Sequence, residues 1–311
     1  MQKSLYLFLL LFFCSCSSPH SEAIEDALRQ AGKNRKELEK VLKHYSADSL
    51  KLRAAEFLIV NMPGKYSEYY NAPWNDAATV FLRWTSSSNK RMVIDEYNLG
   101  KLVVEDDLTH ITAAYIINNI DLAFKVWQET PWGKDIPFDV FCETILPYRL
   151  DTEPLENWRK KALASFADPY KSFLNDSAIT SVDACIRIND LLPRFRVDSD
   201  FPPMNFSQLM ASARGTCDAM AAIAIFSMRA LGIPVTLDYT PRWPNMNVGH
   251  SWNSVYDNAA GNYVSFMGAD FNPGIPHSGK YSVKYKAFRY TFGRQNINLN
   301  ERDIPPMIAL M

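Results

Sequence analysis

Residues 214–256 contain a helix followed by two strands, and this order constrains the fold more than any other part of the chain. Apolar residues recur at steps of three and four from position 219 to 230, which predicts a buried helix. The Gly-Ile-Pro sequence at 232–234 predicts its end. The runs 235–239 and 250–256 have the composition and alternation of strands. We therefore predict a helix that packs on a β-sheet.

Cys217 lies at the predicted start of this helix, directly after a glycine-containing loop. The first turn of a helix has unpaired N–H groups and the positive end of the helix dipole, and both favour a thiolate. His250 begins the second strand, within a Gly-His-Ser-Trp sequence at 249–252. Because a cysteine nucleophile needs a nearby base, the two residues are candidates for a catalytic pair. The alternative is an inert buried cysteine and a core histidine.

The order of these motifs resembles the transglutaminase-like core of the papain-like cysteine enzymes. The resemblance covers about residues 205–275 and rests on the segments 214–221, 229–234 and 249–253. It implies a core in which the Cys-bearing helix packs on an antiparallel β-sheet. It also implies that Cys217 is the nucleophile, that His250 is the general base, and that the backbone N–H of Cys217 helps to stabilise the oxyanion.

The third catalytic position departs from the family pattern. The family places an Asp on the strand after the His, and this chain has Met267 there. Asp270 is our first choice for the group that orients His250. It lies three residues beyond Met267 and would point to the other face of the sheet unless Gly268 marks a bulge in the strand. Asn272 is a second choice, because an amide can also orient an imidazole. Simple turn chemistry is the alternative interpretation of both residues.

Two residues are predicted to bind substrate. Trp243 lies in a loop with Pro and Asn that leads toward the histidine strand, and loop residues beside a scaffold often contact ligands. Asn272 is the other candidate. Arg149 and Glu143 lie among aromatic residues, and we interpret them as structural rather than substrate-binding residues.

Neither a metal site nor a disulfide framework is expected. The five histidines are scattered along the chain and no Cys-x-x-Cys sequence occurs. Beyond the N-terminal region, Cys142, Cys185 and Cys217 form an odd set with wide spacings. We therefore predict a site that works without a cofactor.

The N-terminus has the character of an export signal. Lys3 precedes an apolar run at 5–13 that is too short to span a bilayer. The serines that flank Cys16 resemble a bacterial lipoprotein processing site. That resemblance implies lipidation of Cys16 and a lipid-anchored protein of the bacterial cell envelope, on the outer membrane or facing the periplasm.

We divide the chain into four parts. Residues 1–16 are the signal peptide and lipidation site, residues 17–190 a mainly helical lobe, residues 191–300 the transglutaminase-like core, and residues 301–311 a tail. Helical periodicity at 26–45, 52–62 and 108–130 supports the lobe, and the proline-containing stretch 189–203 supports the boundary. The predicted fold class is α+β.

The function follows from the resemblance. It implies a cysteine-dependent amide hydrolase or acyltransferase that acts on a peptide, glycopeptide or cell-wall amide through a thioester on Cys217. A catalytically weak envelope lipoprotein that binds peptides or glycans is the alternative, because Met267 replaces the orienting Asp. A net charge of −1 with well-mixed charges argues against a nucleic-acid partner.

Overall fold

The structure is a computed structural model that describes residues 19–70, 77–198, 202–243, 247–275 and 286–295. The α-helices, in chain order, are α1 Pro19–Gln30, α2 Arg35–His44, α3 Ser49–Val60, α4 Ala77–Ser86, α5 Lys90–Glu96, α6 Asp107–His110, α7 Ala113–Glu129, α8 Phe138–Thr144, α9 Trp158–Ser165, α10 Ala167–Leu174, α11 Ser181–Asn189, α12 Phe206–Ser212 and α13 Cys217–Arg229. The β-strands are β1 Tyr66–Tyr70, β2 Leu102–Asp106, β3 Arg196–Val197, β4 Arg214–Gly215, β5 Val235–Thr240, β6 His250–Asp257, β7 Asn262–Phe266 and β8 Phe288–Arg289. The fold class is α+β, as predicted. The predicted signal peptide, Cys16 and the tail 301–311 lie outside the described residues.

The N-terminal half is mainly helical, and polar side chains fix several helix starts. Asp48 accepts a hydrogen bond from the backbone N–H of Lys51 at the start of α3. The periodic region 26–45 contains two helices, α1 and α2, joined by a short 3₁₀ turn. Gly32 lies in that turn with φ +55°, a left-handed conformation that interrupts a right-handed helix. The region 108–130 contains α7, in agreement with its periodicity.

A four-stranded sheet with the order β7-β6-β5-β8 forms the C-terminal half, and all its neighbours are antiparallel. Its central pair aligns Thr240 of β5 with His250 of β6. The predicted helix and strands of residues 217–256 are confirmed by α13, β5 and β6. Two small sheets flank it: β1 pairs antiparallel with β2, and β3 pairs parallel with β4.

Helix α13 packs between the sheet and the helical half. Four consecutive or neighbouring residues in its middle are fully buried: Ala221, Ile223, Ala224 and Ile225. This part of the helix is therefore buried on nearly all sides. One continuous cluster of buried apolar side chains extends from Ala27 to Phe292 and includes residues of both halves. Burial of each large side chain in it contributes about 1.5–3 kcal/mol. Within the ranges given above, none of the helices is both long and apolar enough to cross a membrane.

A buried ion pair fixes the loop that follows α8. The Arg149 guanidinium donates two hydrogen bonds of 2.6 Å to the Asp107 carboxylate, and a third of 2.9 Å to the Ser67 hydroxyl. Tyr148 donates to the same carboxylate at 2.8 Å. Glu143 instead accepts hydrogen bonds from the backbone N–H groups of residues 292 and 293. Both residues thus have partners within the protein, but the expected pair between Arg149 and Glu143 does not form, because Asp107 takes the guanidinium.

Candidate active site

Cys217 is the first residue of α13, and the preceding loop is compact. The Thr216 side chain caps the helix by accepting a hydrogen bond from the backbone N–H of Ala219. Gly215 has φ +151°, and a Cβ at this position would lie 2.6 Å from the Cβ of Ala219. A larger residue would therefore push the loop away from the helix. The loop and cap together hold the Cys217 thiol in a half-buried position at the helix start.

The environment of the thiol contains opposing influences on its pKa. Burial, the largest, and the charge of Asp218 raise the pKa of Cys217, whereas the backbone N–H groups of Ser251, Asp218 and Cys217 lower it. The net direction is upward. The stabilisation of the thiolate by the helix start is thus smaller than the destabilisation by burial and Asp218, because removing a thiolate from water and placing it beside a carboxylate both cost free energy.

Two hydrogen bonds join β6 to α13, and a third joins β6 to the turn after β7. The Ser251 hydroxyl donates to the Asp218 carboxylate. The Asn253 side chain donates to the carbonyl of Ala221 at 3.1 Å and accepts from the N–H of Gly268 at 3.0 Å. Ser251 and Asn253 therefore point to the helix-facing side of β6, as expected for residues two apart on a strand.

His250 is the first residue of β6, next to the Ser251 N–H that faces the thiol. Strand alternation directs its imidazole to the opposite face from Ser251. There the ring centroid lies 6.1 Å from that of Trp243 and 6.1 Å from that of Trp252. The structure thus brings the thiol to the backbone at the start of the histidine strand, and it places the imidazole beside two indole rings.

Ser251 lies in the part of β6 that pairs with β5 but not with β7. The register between β6 and β7 begins at Asn253 with Phe266. Ser251 precedes that register, so its N–H can point to Cys217 rather than to a neighbouring strand.

Asp270 and Asn272 lie in the turn after β7, beyond the strand itself. Asp270 is exposed, and its N–H donates to the carbonyl of Met267 at 3.1 Å. The side-chain oxygen of Asn272 accepts a hydrogen bond from the side-chain NH₂ of Asn189 at 2.9 Å, and the side-chain NH₂ of Asn272 donates to the Asp190 carboxylate at 2.8 Å. These contacts anchor the turn to the end of α11. A role for either residue in orienting His250 stays a prediction.

Gly268 does not form a bulge within β7, because the strand ends at Phe266. A Cβ at Gly268 would lie 2.4 Å from the Cβ of Ala224, so glycine permits the turn to approach α13 closely. Met267 beside it is 4% exposed and belongs to the core. The position that the family gives to an acidic residue is therefore an apolar packing position here.

Trp243 is 2% exposed, and its backbone N–H donates to the carbonyl of Val248 at 3.1 Å. Its ring therefore belongs to the wall around the imidazole. Contact of Trp243 or Asn272 with a substrate stays a prediction.

A cleft of about 510 Å³ is lined by Thr216 and Asp218, the two chain neighbours of Cys217, while Cys217 and His250 are not among its described lining residues. Its apolar wall includes Met204, Leu209, Phe226 and Leu237, its aromatic residues with hydroxyls are Tyr239 and Tyr290, and its carboxylates are Asp151, Glu153 and Asp218. Ser251 and the loop 215–216 complete the side nearest the thiol. The volume is in the range of small-molecule sites.

Four residues of this site were not predicted from the sequence. Asp218 and Ser251 directly follow Cys217 and His250, and this adjacency is a local signal that would have indicated them. Asp151 and Glu153 come from the loop after the Arg149 ion pair, far from the motifs in sequence. Only the packing of the two halves brings their carboxylates to the cleft.

No group of three His, Cys, Asp or Glu side chains suited to a metal ion occurs in the part of the chain that the structure describes. Cys142, Cys185 and Cys217 are free thiols. Comparison of the chain with protein-family models, with curated proteins and with solved structures gave no match. The case for a function therefore rests on the residues and geometry of this site.

Proposed function

We propose that this protein is a cysteine-dependent amide hydrolase or acyltransferase with a transglutaminase-like core. The observation that carries the proposal is the position of the Cys217 thiol, which faces the backbone N–H groups of Ser251, Asp218 and Cys217 and lies between two residues that line a cleft. When a thiol attacks a carbonyl carbon, the oxygen becomes an oxyanion. N–H donors held rigidly at the site of attack stabilise that charge.

His250 is the general base in this proposal. Because the pKa of Cys217 is raised, chiefly by burial, the thiol must lose its proton as it attacks. The imidazole takes this proton while sulfur bonds to the carbonyl carbon. Collapse of the intermediate breaks the C–N bond, and the imidazole returns the proton to the leaving amine. Water or a second amine then attacks the thioester and restores the thiol.

The substrate in this proposal is a peptide, glycopeptide or cell-wall amide, and the protein is anchored to an envelope membrane through a lipid on Cys16. Support for the anchor comes from the apolar run at 5–13 and the serines around Cys16. Hydrolysis is favoured over crosslinking, since a site bathed in water meets water more often than a competing amine.

A binding lipoprotein with weak or no catalysis is the second candidate. Three observations favour it: the raised pKa of Cys217, which burial dominates; the apolar Met267 where an orienting Asp is expected; and the imidazole on the face of β6 opposite Ser251. In this alternative the cleft binds a ligand and Cys217 is a packing residue.

Acylation by p-nitrophenyl acetate separates the two candidates. The enzyme candidate predicts acetyl transfer to Cys217 of the full chain, with release of p-nitrophenol. His250→Ala should slow this step by roughly a hundredfold or more if the imidazole is the base. His110→Ala, which changes an exposed histidine outside the cleft, is the matched control. Equal acylation of wild type and His250→Ala, or none above that of Cys217→Ala, would favour the binding protein.

A further inference from the structure

The cleft beside Cys217 combines an apolar wall with an acidic rim. Phe226 and Leu237 provide part of the apolar wall, and Asp151, Glu153 and Asp218 provide the carboxylates. The described lining residues contain no Lys, Arg or His side chain. A cavity of this kind complements a ligand that has both an alkyl chain and a positive charge.

Two buried guanidinium groups, those of Arg149 and Arg229, attract the charge of Glu153, and Arg149 also attracts that of Asp151, but neither Arg lines the cleft. Arg149 is buried and its guanidinium is paired with Asp107. The Glu153 carboxylate accepts hydrogen bonds from the backbone N–H groups of Leu150 at 2.8 Å and of Asp151 at 2.7 Å. Those bonds hold its charge in place at 6% exposure but do not cancel it. The lining of the cleft therefore presents three carboxylates and no cationic side chain among the described residues.

Asp151 carries the least compensated charge of the three. The residue has exposed surface and also lines the cleft, and its carboxylate accepts no hydrogen bond from the described residues. Burial, followed by the charges of Glu153 and Asp218, raises the pKa of Asp151 to about 6. The three carboxylates thus repel one another, and a bound cation would relieve that repulsion.

Tyr290 adds an aromatic surface to the same region. Its ring lines the cleft, and burial, then Asp151 and Glu153, raise the pKa of its hydroxyl to about 12. An aromatic face beside carboxylates is a favourable environment for an ammonium group.

We propose that the cleft is a specificity subsite for a substrate residue with an alkylammonium side chain, of the lysine type. The ammonium lies among Asp151, Glu153 and Asp218, and the methylene groups lie on the apolar wall. The ammonium stays protonated and is not the leaving amine. This inference rests on the proposed function, because it names the substrate class of the same site.

Binding of two matched probes to the full chain tests the subsite without any catalytic step. Nα-acetyl-lysine N-methylamide carries the ammonium, and Nα-acetyl-norleucine N-methylamide has a similar alkyl chain without it. We expect the lysine probe to bind at least roughly tenfold more tightly at low salt, with the advantage reduced at high salt. Equal affinities for the two probes would overturn the proposal.

Substitutions of single carboxylates show which residue causes the preference for the lysine probe. Asp151→Asn should remove most of the preference for the lysine probe, whereas Asp168→Asn, at an exposed carboxylate outside the cleft, should leave it unchanged. Equal losses in both variants would show a non-specific charge effect and overturn the subsite. The acylation assay with p-nitrophenyl acetate tests the enzyme separately. If the lysine probe binds more tightly but acylation does not depend on His250, the enzyme is refuted and the subsite is retained. If acylation depends on His250 but the two probes bind equally, only the subsite is refuted.

Discussion

The Ser251 hydroxyl donates a hydrogen bond to the Asp218 carboxylate, and this bond joins the start of β6 to the first turn of α13. The same two residues act in opposite directions on the Cys217 thiol between them. After burial, the charge of Asp218 raises the pKa of the thiol, whereas the backbone N–H of Ser251 lowers it. The residues of this contact between strand and helix therefore modify the pKa of a thiol that burial has already raised.

Asp218→Asn should lower the pKa of Cys217. The change removes the carboxylate charge, while the amide oxygen can still accept the hydrogen bond from Ser251. Because iodoacetamide reacts with the thiolate, labelling of Cys217 at neutral pH should become several-fold faster. Mass mapping of the labelled cysteine across a pH series measures this, with Asp168→Asn as the control. An unchanged pH profile would contradict the assigned influence of Asp218.

Asn253→Ala should destabilise the fold by about 2–4 kcal/mol. The side chain is fully buried, and its loss leaves the carbonyl of Ala221 and the N–H of Gly268 without their partner. Urea denaturation measures the change in the free energy of unfolding. Asn175→Ala, at an exposed helix end, should change that free energy by less than about 1 kcal/mol. Similar effects of the two substitutions would show that Asn253 does not join helix and sheet.

Arg149→Met should cost about 3–5 kcal/mol of folding free energy, since it leaves the Asp107 carboxylate buried without a counter-charge. The two side chains are 2% and 1% exposed. Arg91→Met provides the comparison, because the Arg91–Asp95 pair is 77% and 60% exposed and should contribute less than about 1 kcal/mol. Urea denaturation measures the free-energy change of each variant from its midpoint, provided that the dependence on urea concentration has the same slope as in wild type. If Arg149→Met costs no more than Arg91→Met, the buried pair does not stabilise the loop beside the cleft.

Asp151→Asn should stabilise the protein at neutral pH and lose this advantage in acid. Burial, then Glu153 and Asp218, raise the pKa of Asp151 to about 6, so the folded state binds this proton more tightly than the unfolded chain. Wild type therefore carries a penalty that is complete above about pH 6 and disappears as the pH falls to about 4. Melting temperatures of both proteins across this range measure the difference. A constant difference in melting temperature would contradict the raised pKa.

Local sequence patterns predicted the central elements of the fold. The apolar spacing from 219 to 230 and the Gly-Ile-Pro stop gave α13 its bounds within a few residues, and alternation predicted β5 and β6. The division of the region 26–45 was missed, although Gly32 marks it. Such features are readable because periodicity, capping residues and glycine act on the backbone over a few neighbouring residues.

The chemical environment of Cys217 was decided by the tertiary structure. The sequence placed a cysteine at a helix start and a histidine at a strand start. It did not show that burial and Asp218 raise the pKa of the thiol, that the N–H of Ser251 faces it, or that Asp151 and Glu153 reach its cleft. Burial and electrostatic interactions depend on distances through space. Those distances exist only once helices and strands that are remote in sequence have packed together.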